Sequence, residues 1–338
     1  MKLDDIARLA GVSRTTASYV INDKAEKYRV SAKTVAKVMQ VVEQYNYQPN
    51  PVATGLRVGR THSIGIIIPD LENTSYTRIA NHFERGARQK GYQILIACSE
   101  DNFEIEKTCI THLKQRQVDA IVVSTSLFND YSFYKNWDNQ LLPLLALDRP
   151  LDPQKFQCIL GHDKKDAQTL TEAFNKIAKG KTVFLGALPE LSVSCWRKEG
   201  FEKALKSELI AQTTYIYADD YSQKSAYKVF STWLNSNSIP QSIFSTSFAL
   251  LQGALNAIID KKGILPENLV IATFGDNEFL DFLPCQVISL AQDHLKIADV
   301  VLTNLTEILT GIKSYQSGTT QIQRKLNYRG RLKINNDN

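Results

Sequence analysis

The sequence has no long apolar run, and its cysteines are few. No stretch reaches the roughly 18 apolar residues that a membrane-spanning helix needs. The first residues, MKLDDIARLAG, carry two acids where a secretory signal has a basic start and an apolar stretch. The five cysteines are scattered and form no C-x-x-C pair, which indicates free thiols in a reducing compartment. We therefore expect a cytoplasmic protein without disulfides and with no membrane partner.

Motifs for catalysis and metal binding are also missing. Gly180-Lys181-Thr182 imitates the end of a phosphate-binding loop, but Asn175 stands where the first glycine is required. Neither G-x-S-x-G nor G-x-G-x-x-G occurs. The histidines have no ligand spacing with one another or with cysteine: His62, His82, His112, His162 and His294. We expect no catalytic residue, no metal site and no cofactor, although a triad of residues distant in sequence stays open.

The charge is concentrated at the N-terminus. Residues 1–60 hold ten Lys and Arg against five Asp and Glu, whereas the rest of the chain holds 30 of each. This asymmetry predicts a small basic module joined to a neutral body, and nucleic acid is the expected partner of the module. Charge alone leaves an anionic membrane surface open.

The body has the pattern of an α/β fold. Apolar runs of strand length alternate with helical stretches such as 75–90 and 103–116, which is typical of parallel sheets covered on both faces. Nine runs favour two doubly wound subdomains over one large sheet: 64–70, 92–100, 118–126, 141–149, 181–188, 214–220, 242–247, 268–276 and 286–292.

Polar residues gather where these strands end, which is where such sheets bind ligands. They are Asp70, Ser99, Ser124, Asp148, Ser247 and Asp276. Strand ends also need turn-forming residues, so each of these side chains has that plainer explanation as well.

The basic module contains a helix-turn-helix pattern. Ala7, Gly11 and Ala17 stand where two helices approach and where the chain turns between them. The second helix predicts four exposed residues for base edges in the major groove: Arg14, Thr15, Ser18 and Tyr19. Residues suited to phosphates flank them: Ser13, Thr16, Asn22, Lys24, Lys27, Arg29 and Lys33. The plainer alternative is a three-helix core with an ordinary basic surface.

The stretch from Ile6 to Leu56 resembles the lac/gal repressor family of bacterial regulators. The helix-turn-helix is followed by VSAKTVAKV, then YQPN, then the VA-x-x-L hinge. The resemblance implies that Leu56 enters the minor groove, with Val52 and Ala53 on the face where two hinge helices pair; apolar wedges of this kind kink DNA. Pro51 and the longer loop KAEKYR depart from the commoner pattern.

The body resembles the same family, which implies a core like that of a periplasmic sugar-binding protein, with a ligand held between two subdomains. The implied ligand contacts are Asn73, Ser75, Tyr76, Ser124, Asp148, Arg197, Asp276 and Gln292. Carboxylates accept hydrogen bonds from sugar hydroxyls, and arginine binds a phosphate or a ring hydroxyl.

Two positions suggest that the ligand is not a neutral sugar. Thr246-Ser247-Phe248 stands where many relatives have Ala-Asn-Asp, so we include Ser247 among the contacts. Arg149 supplies a second cation, with a strand-end salt bridge as the alternative. LENTSYTRIA, GALPELSVS and ATFGDNE resemble the fructose-responsive branch of the family. That resemblance implies fructose 1-phosphate as inducer, with fructose 1,6-bisphosphate as a weaker candidate, and genes of fructose uptake and central carbon metabolism as targets.

The sequence thus predicts a homodimeric regulator that binds a near-palindromic operator on double-stranded DNA and is released by a sugar phosphate. Tetramers stay open, and so does a different small effector. A transport binding protein and a phosphosugar enzyme are the rivals from other classes. We expect a DNA-binding domain at 1–48, a hinge at 49–60 and an effector domain at 61–338. Its subdomains would be 61–162 with 293–325, and 163–292 with 326–338.

Overall fold

A computed structural model describes residues 1–48, 60–128 and 131–331. It divides the chain into two units, Met1–His62 and Ser63–Asn338. The predicted hinge residues Val52, Ala53 and Leu56 lie outside the described residues.

The first unit contains three helices around a small core. They are α1 (Leu3–Ala10), α2 (Arg14–Ile21) and α3 (Ala32–Gln44). Gly11 ends α1 in the left-handed region at φ 64°, which glycine adopts without steric cost. Ser13 and Ser31 cap α2 and α3, since each hydroxyl accepts a hydrogen bond from the backbone N–H three residues on. The core consists of Ile6, Ala7, Ala10, Ala17, Val20 and Val38.

The second unit contains two six-stranded sheets. The first has the order β11-β5-β4-β3-β1-β2, and the second β12-β10-β9-β8-β6-β7. All neighbours are parallel except β12, which is antiparallel to β10. The strands are β1 (Ser63–Ile68), β2 (Gln93–Cys98), β3 (Ala120–Val123), β4 (Leu144–Leu147), β5 (Gln157–Gly161), β6 (Thr182–Ala187), β7 (Thr213–Ala218), β8 (Ser242–Ser245), β9 (Val270–Phe274), β10 (Gln286–Ala291), β11 (Gly318–Ile322) and β12 (Lys325–Gly330).

Helices cover both faces of each sheet, so the apolar strands are buried on two sides. The helices are α4 (Thr74–Gln89), α5 (Phe103–Gln115), α6 (Asp163–Phe174), α7 (Ser192–Ala204), α8 (Ser207–Ile210), α9 (Gln223–Ser236), α10 (Phe248–Lys262) and α11 (His294–Leu309). Short 3₁₀ turns lie at Ser132–Tyr134 and Glu278–Phe282. In the described part, no helix combines the length and apolarity that a membrane crossing requires.

The chain passes three times between the sheets. These crossovers are at 161–163, 291–294 and 322–325. β5 and β11 belong to the first sheet and β10 to the second, and in each case the element that follows belongs to the other subdomain. Lys325 starts β12 of the second sheet, next to the approximate boundary expected near residues 325 and 326.

The prediction of nine strands missed three of those described. β5 has a short apolar stretch, and β11 and β12 are edge strands rich in polar residues, of which those of β11 are mostly exposed and those of β12 mostly half-buried. An edge strand is covered on fewer sides, so it does not need the apolar run by which the other strands were recognised.

Candidate functional site

Helix α2 presents part of the predicted base-reading surface. Arg14 and Thr15 are exposed in its first turn, as expected of a recognition helix. The Arg14 side chain is 70% exposed and pairs with Asp4 at 3.2 Å. An exposed pair of this kind is weak. Arg14 is therefore able to exchange Asp4 for a base or a phosphate at little cost.

Ser18 corrects the sequence prediction. It was expected to be exposed for base contact, but it is only 4% exposed. Asn22 donates from Nδ2 to the Ser18 carbonyl at 2.7 Å and to its hydroxyl at 3.2 Å. Ser18 therefore faces the inside of the unit, and its bonds with Asn22, one helical turn later, close the end of α2. It is not placed to read a base.

Tyr19 is held by a residue that the sequence argument did not select. Its ring stacks on that of Tyr28, with centroids 3.8 Å apart and planes at 5°. Tyr28 belongs to the longer loop before Ser31 and is 46% exposed. The loop therefore supports Tyr19 from outside the helix.

The predicted phosphate-binding residues have different surroundings. Arg29 and Lys33 are exposed, and Arg29 has a positive φ of 53°. The Ser13 and Thr16 hydroxyls hydrogen-bond each other at 2.8 Å, so only their remaining donor or acceptor capacity is open to DNA.

A cleft lies between the two sheets of the second unit. Segments that follow strand ends line it, as expected for parallel α/β sheets. It collects all but one of the predicted effector residues: Asn73, Ser75, Tyr76, Asp148, Arg149, Arg197, Ser247, Asp276 and Gln292. The exception, Ser124, is buried next to it and shares a hydrogen bond with Tyr76 Oη at 2.9 Å.

Asp148 stands on a strained turn that points its side chain into the cleft. It follows β4 with φ 62°, which is uncommon for a residue other than glycine. The Arg149 N–H donates to the Leu147 carbonyl at 2.6 Å, so the turn is tight. The Asp148 carboxylate accepts from Tyr76 Oη at 3.0 Å and from Gln292 Nε2 at 3.2 Å. Strained backbone of this kind concentrates at functional sites.

Tyr76 stays protonated in the cleft. Burial raises the pKa of its hydroxyl, and the nearby Asp148 carboxylate raises it further. A hydroxyl has one hydrogen to donate, so Tyr76 donates to Asp148 and accepts from Ser124.

Arg197 is fixed on the side of the second sheet. Its Nε donates to Asp163 Oδ1 at 2.7 Å, its Nη1 donates to the Thr246 carbonyl at 2.8 Å, and its guanidinium lies over the Phe274 ring. Burial acts to raise the pKa of Asp163, but Arg324 and Arg197 lower it below its usual value, so the carboxylate remains charged.

Arg324 is the main residue that the sequence argument missed. It lies on the third crossover, where its Nη1 donates to Asp166 Oδ2 at 2.7 Å. Its Nη2 lies 3.3 Å from Asp163 Oδ1 and 3.8 Å from Asp148 Oδ1. The side chain is 2% exposed and lines the cleft. No motif in the sequence marks this position, because its partners lie far away along the chain.

Arg149 forms the strand-end salt bridge that was its alternative explanation. Its Nη1 donates to Asp101 Oδ1 at 2.6 Å and to the Thr125 carbonyl at 3.3 Å. It also lines the cleft. Within the described ranges, the buried Arg149 Nε makes no hydrogen bond, and the buried Arg324 Nη2 makes none beyond its ion pair with Asp163. Buried donors are normally satisfied, so these two indicate room for an acceptor.

Ser75, Gln292 and His294 form a hydrogen-bonded group in the cleft, beside the second crossover. Ser75 Oγ donates to Gln292 Oε1 at 2.5 Å and lies 3.0 Å from His294 Nε2. Because the serine hydrogen is used on Gln292, His294 Nε2 must donate to Ser75. Burial, with Arg78 nearby, lowers the pKa of His294 from 6.5 to about 4, so its ring is neutral near pH 7. The sequence argument had left His294 as an ordinary histidine.

Asp276 is already occupied by protein donors. Its carboxylate accepts from Ser289 Oγ at 2.5 Å, from Asn327 Nδ2 at 3.1 Å, and from Arg329 Nε and Nη2 at 2.9 and 2.6 Å. Burial acts to raise its pKa, but these bonds bring it below its usual value. Asp276 lines the cleft and also ties β12 to the end of β9.

Asn73 and Ser247 cap the helices that enter the cleft. The Asn73 side chain accepts from the Ser75 N–H at 3.1 Å at the start of α4, and Ser247 Oγ accepts from the Leu250 N–H at 3.2 Å at the start of α10. Helix N-termini carry partial positive charge and favour anions.

The free space in the cleft is about 70 Å³. That volume accommodates a few water molecules rather than a phosphorylated hexose. Admission of a sugar phosphate therefore requires the two subdomains to rearrange.

Family models match most of the chain. The model described as bacterial regulatory proteins, lacI family, covers residues 2–50, and that of periplasmic binding proteins and sugar binding domain of the LacI family covers residues 61–277.

The described residues contain no group of three or more His, Cys, Asp or Glu side chains placed to hold a metal ion.

Curated relatives match over nearly their full length. The catabolite repressor/activator of Escherichia coli K12 is 54% identical, with 98% of this chain and 99% of the relative aligned. The fructose operon regulatory protein of Vibrio cholerae is 43% identical, with coverage of 97% and 100%.

Solved structures show the same architecture. The Cra transcriptional dual regulator of Pseudomonas putida, in complex with fructose 1-phosphate, has a TM-score of 0.72 at 32% identity and covers 79% of this chain and 98% of its own. The lac repressor dimer bound to operator and the anti-inducer ONPF has a TM-score of 0.79 over 98% of this chain and 99% of its own, at 22% identity, and shows the fold alone. These matches confirm the predicted resemblance: the chain belongs to the LacI family of bacterial regulatory proteins, and it is a DNA-binding transcription regulator and not an enzyme.

Proposed function

We propose that the protein regulates genes of fructose and central carbon metabolism, and that fructose 1-phosphate releases it from its operators. It would bind a near-palindromic operator as a homodimer, because the symmetry of the dimer matches the symmetry of the site. The names of its relatives support this assignment. Because operator DNA lies in the bacterial cytoplasm, we propose that the protein acts there.

We assign operator binding to residues 1–48, with the hinge at 49–60 and the effector domain at 61–338. Arg14, Thr15 and Tyr19 would contact base edges, and Ser13, Thr16, Asn22, Arg29 and Lys33 would contact phosphates. Val52, Ala53 and Leu56 are assigned to paired hinge helices in the minor groove. Ser18 leaves this set because it is buried.

One observation supports a phosphorylated ligand above all. The cleft contains three buried guanidinium groups, and two of them have a nitrogen that makes no hydrogen bond: Arg149 Nε, and Arg324 Nη2, which is ion-paired with Asp163. A phosphate group supplies several strong acceptors for such guanidinium donors.

The polar side chains around these cations would receive the sugar. Asp148 and Gln292 would hydrogen-bond ring hydroxyls, with Ser75 and Tyr76 rearranging to complete the contacts. Arg197 would bind phosphate or a hydroxyl. Asp276 already accepts four hydrogen bonds from protein donors, so it would hold the wall of the cleft in position.

The mechanism would couple the cleft to the hinge. Because the free space is about 70 Å³, a hexose phosphate binds only an arrangement in which the subdomains have moved. That movement would separate the paired hinges and lower the affinity for operator DNA. The ligand weakens operator binding only by its differential affinity for the two arrangements.

The test is binding of the full chain to genomic DNA fragments at one fixed salt concentration. Specific binding that fructose 1-phosphate abolishes supports the proposal, and a stronger effect of fructose 1,6-bisphosphate would change the ligand. Specific binding that ignores both would retain the regulator and reject the fructose assignment.

Variants distinguish ligand binding by the cleft arginines from a general effect of removing positive charge. Arg149→Gln and Arg197→Ala should bind operator but lose the response to fructose 1-phosphate. Arg88→Gln, which removes an exposed arginine of α4, should respond normally. A normal response in both cleft variants would remove these arginines from the ligand site.

A further inference from the structure

A second groove of the effector domain lies on the three crossovers. Residues from 162, from 291–294 and from 323–325 line it, together with part of α6 and His82 of α4. Its volume is about 790 Å³, within the usual range of small-molecule sites. We refer to it as the hinge groove, after the crossovers between the two subdomains and not after the DNA-binding hinge at 49–60. It shares Gln292, His294 and Arg324 with the cleft but otherwise has its own lining.

The lining of the hinge groove is rich in basic side chains. They are His82, His162, Lys165, His294, Arg324 and Lys325. The two carboxylates in the lining already have partners. Asp166 accepts from Arg324 Nη1 at 2.7 Å, and Asp293 Oδ1 accepts from the Lys296 N–H at 2.9 Å as the cap of α11. Asp166 is thus paired with Arg324, whereas Asp293 keeps its negative charge, so Lys165, Lys325 and Arg324 exceed the carboxylates of the lining by one charge.

The lysines themselves have no partner in the described part of the chain. Lys165 and Lys325 are both exposed, and no ion pair or side-chain hydrogen bond of theirs occurs among the described residues. Lys165 lies in the first turn of α6 and Lys325 begins β12, so two separate elements direct uncompensated charge to one groove.

We propose that the hinge groove is a second binding site, for a small phosphate-bearing anion. Lysine ammonium groups and the imidazole N–H groups of His82 and His162 are suitable donors for phosphate oxygens, whereas the N–H of His294 is used on Ser75. The groove is open enough to admit such a molecule without the movement that the cleft requires. Because its walls come from both subdomains, the anion binds directly to the segments about which they move.

Arg324 connects this site to the cleft. Its Nη1 is bonded to Asp166, which lines the hinge groove, while its Nη2 approaches Asp148, which lines the cleft. An anion in the groove competes for the same guanidinium as an anion in the cleft, and the two negative charges repel. Occupation of one site therefore weakens the other, and by thermodynamic reciprocity the effect is equal in both directions.

The experiment is calorimetric titration of the full chain with pyrophosphate in a phosphate-free buffer. The double variant Lys165→Gln/Lys325→Gln should raise the Kd by about tenfold or more, because two charge-assisted hydrogen bonds are lost. The control Lys176→Gln/Lys203→Gln removes the same charge from exposed positions outside the groove and should leave the Kd unchanged.

Three results would overturn the proposal. They are no pyrophosphate binding to the unaltered protein, an equal loss in the control variant, or a loss in Arg197→Ala in place of the lysine variant, which would place the anion in the cleft. The lysine variant should still bind fructose 1-phosphate, and saturating pyrophosphate should weaken that binding only in the unaltered protein. Failure of the fructose assignment would appear separately, as no fructose 1-phosphate binding in any variant.

Discussion

Arg14 is the residue for which base reading and phosphate contact are most easily separated. In the free protein it is exposed and only weakly held by Asp4. Arg14→Ala should cost about 1–3 kcal/mol on the preferred operator and relax selectivity at one base pair. Competition binding against a set of single-base operator variants measures both effects.

The matched control is Lys33→Ala, which removes a proposed phosphate contact and should weaken all DNA to the same degree. If Arg14→Ala behaves in the same uniform way, Arg14 contacts phosphate and the base assignment fails.

His294 predicts a pH dependence of stability. Its pKa is about 4 in the folded protein against 6.5 as the ordinary value, so between these values the unfolded chain binds the proton more readily. The free energy of unfolding is therefore not reduced by His294 above pH 6.5, and it decreases as the pH falls from 6.5 towards 4. His294→Gln should therefore lose less stability than the unaltered protein between pH 6.5 and 4.5, as measured by thermal unfolding. His112→Gln, at an exposed position on α5, should leave the pH dependence as it is.

Residues of the cleft differ in how far the sequence predicts them. Asp148 and Gln292 follow recognisable strands, so their place at a strand end could be inferred. Arg324 could not, because its role depends on Asp163 and Asp166, which lie some 160 positions earlier and meet it only through the crossovers. Ser18 failed for a local reason: its exposure depends on packing at the end of α2, which residue type does not fix.

At the scale of elements, Gly161 at the end of β5 allows a test of whether the cleft depends on the position of Arg324. A Cβ on Gly161 would lie 2.2 Å from Arg324 Nη1, and that guanidinium is buried and bonded. Gly161→Ala should displace it, destabilise the fold by about 1–3 kcal/mol and weaken fructose 1-phosphate binding. Calorimetric titration and denaturant unfolding measure the two effects.

Gly86→Ala is the control for this substitution, because its Cβ would meet only a terminal methyl group of Leu302. It should retain ligand binding. Normal ligand affinity in Gly161→Ala would show that the cleft does not depend on the position of Arg324.

Element prediction succeeded where burial imposes a pattern. β1, β3 and β9 are covered on both faces, so their apolar runs were visible, and the two serine caps fixed the starts of α2 and α3. β11 and β12 lack that pattern at the sheet edges. Their pairing comes from the crossovers, and therefore from the tertiary structure rather than from local residue preference.

For the whole molecule, the proposed release mechanism makes a reciprocal prediction. If saturating fructose 1-phosphate weakens operator binding of the dimer by a given factor, typically about 5–150-fold, the Kd values of its two clefts must rise on the operator so that the product of the two increases equals the same factor. Fluorescence anisotropy with labelled operator gives the first factor, and calorimetric titration of free and operator-bound protein gives the second. Unequal factors would mean that a third equilibrium, such as dissociation of the dimer, is linked to both ligands. Repeating both titrations at several protein concentrations identifies that case, since only dimer dissociation makes the two factors depend on concentration.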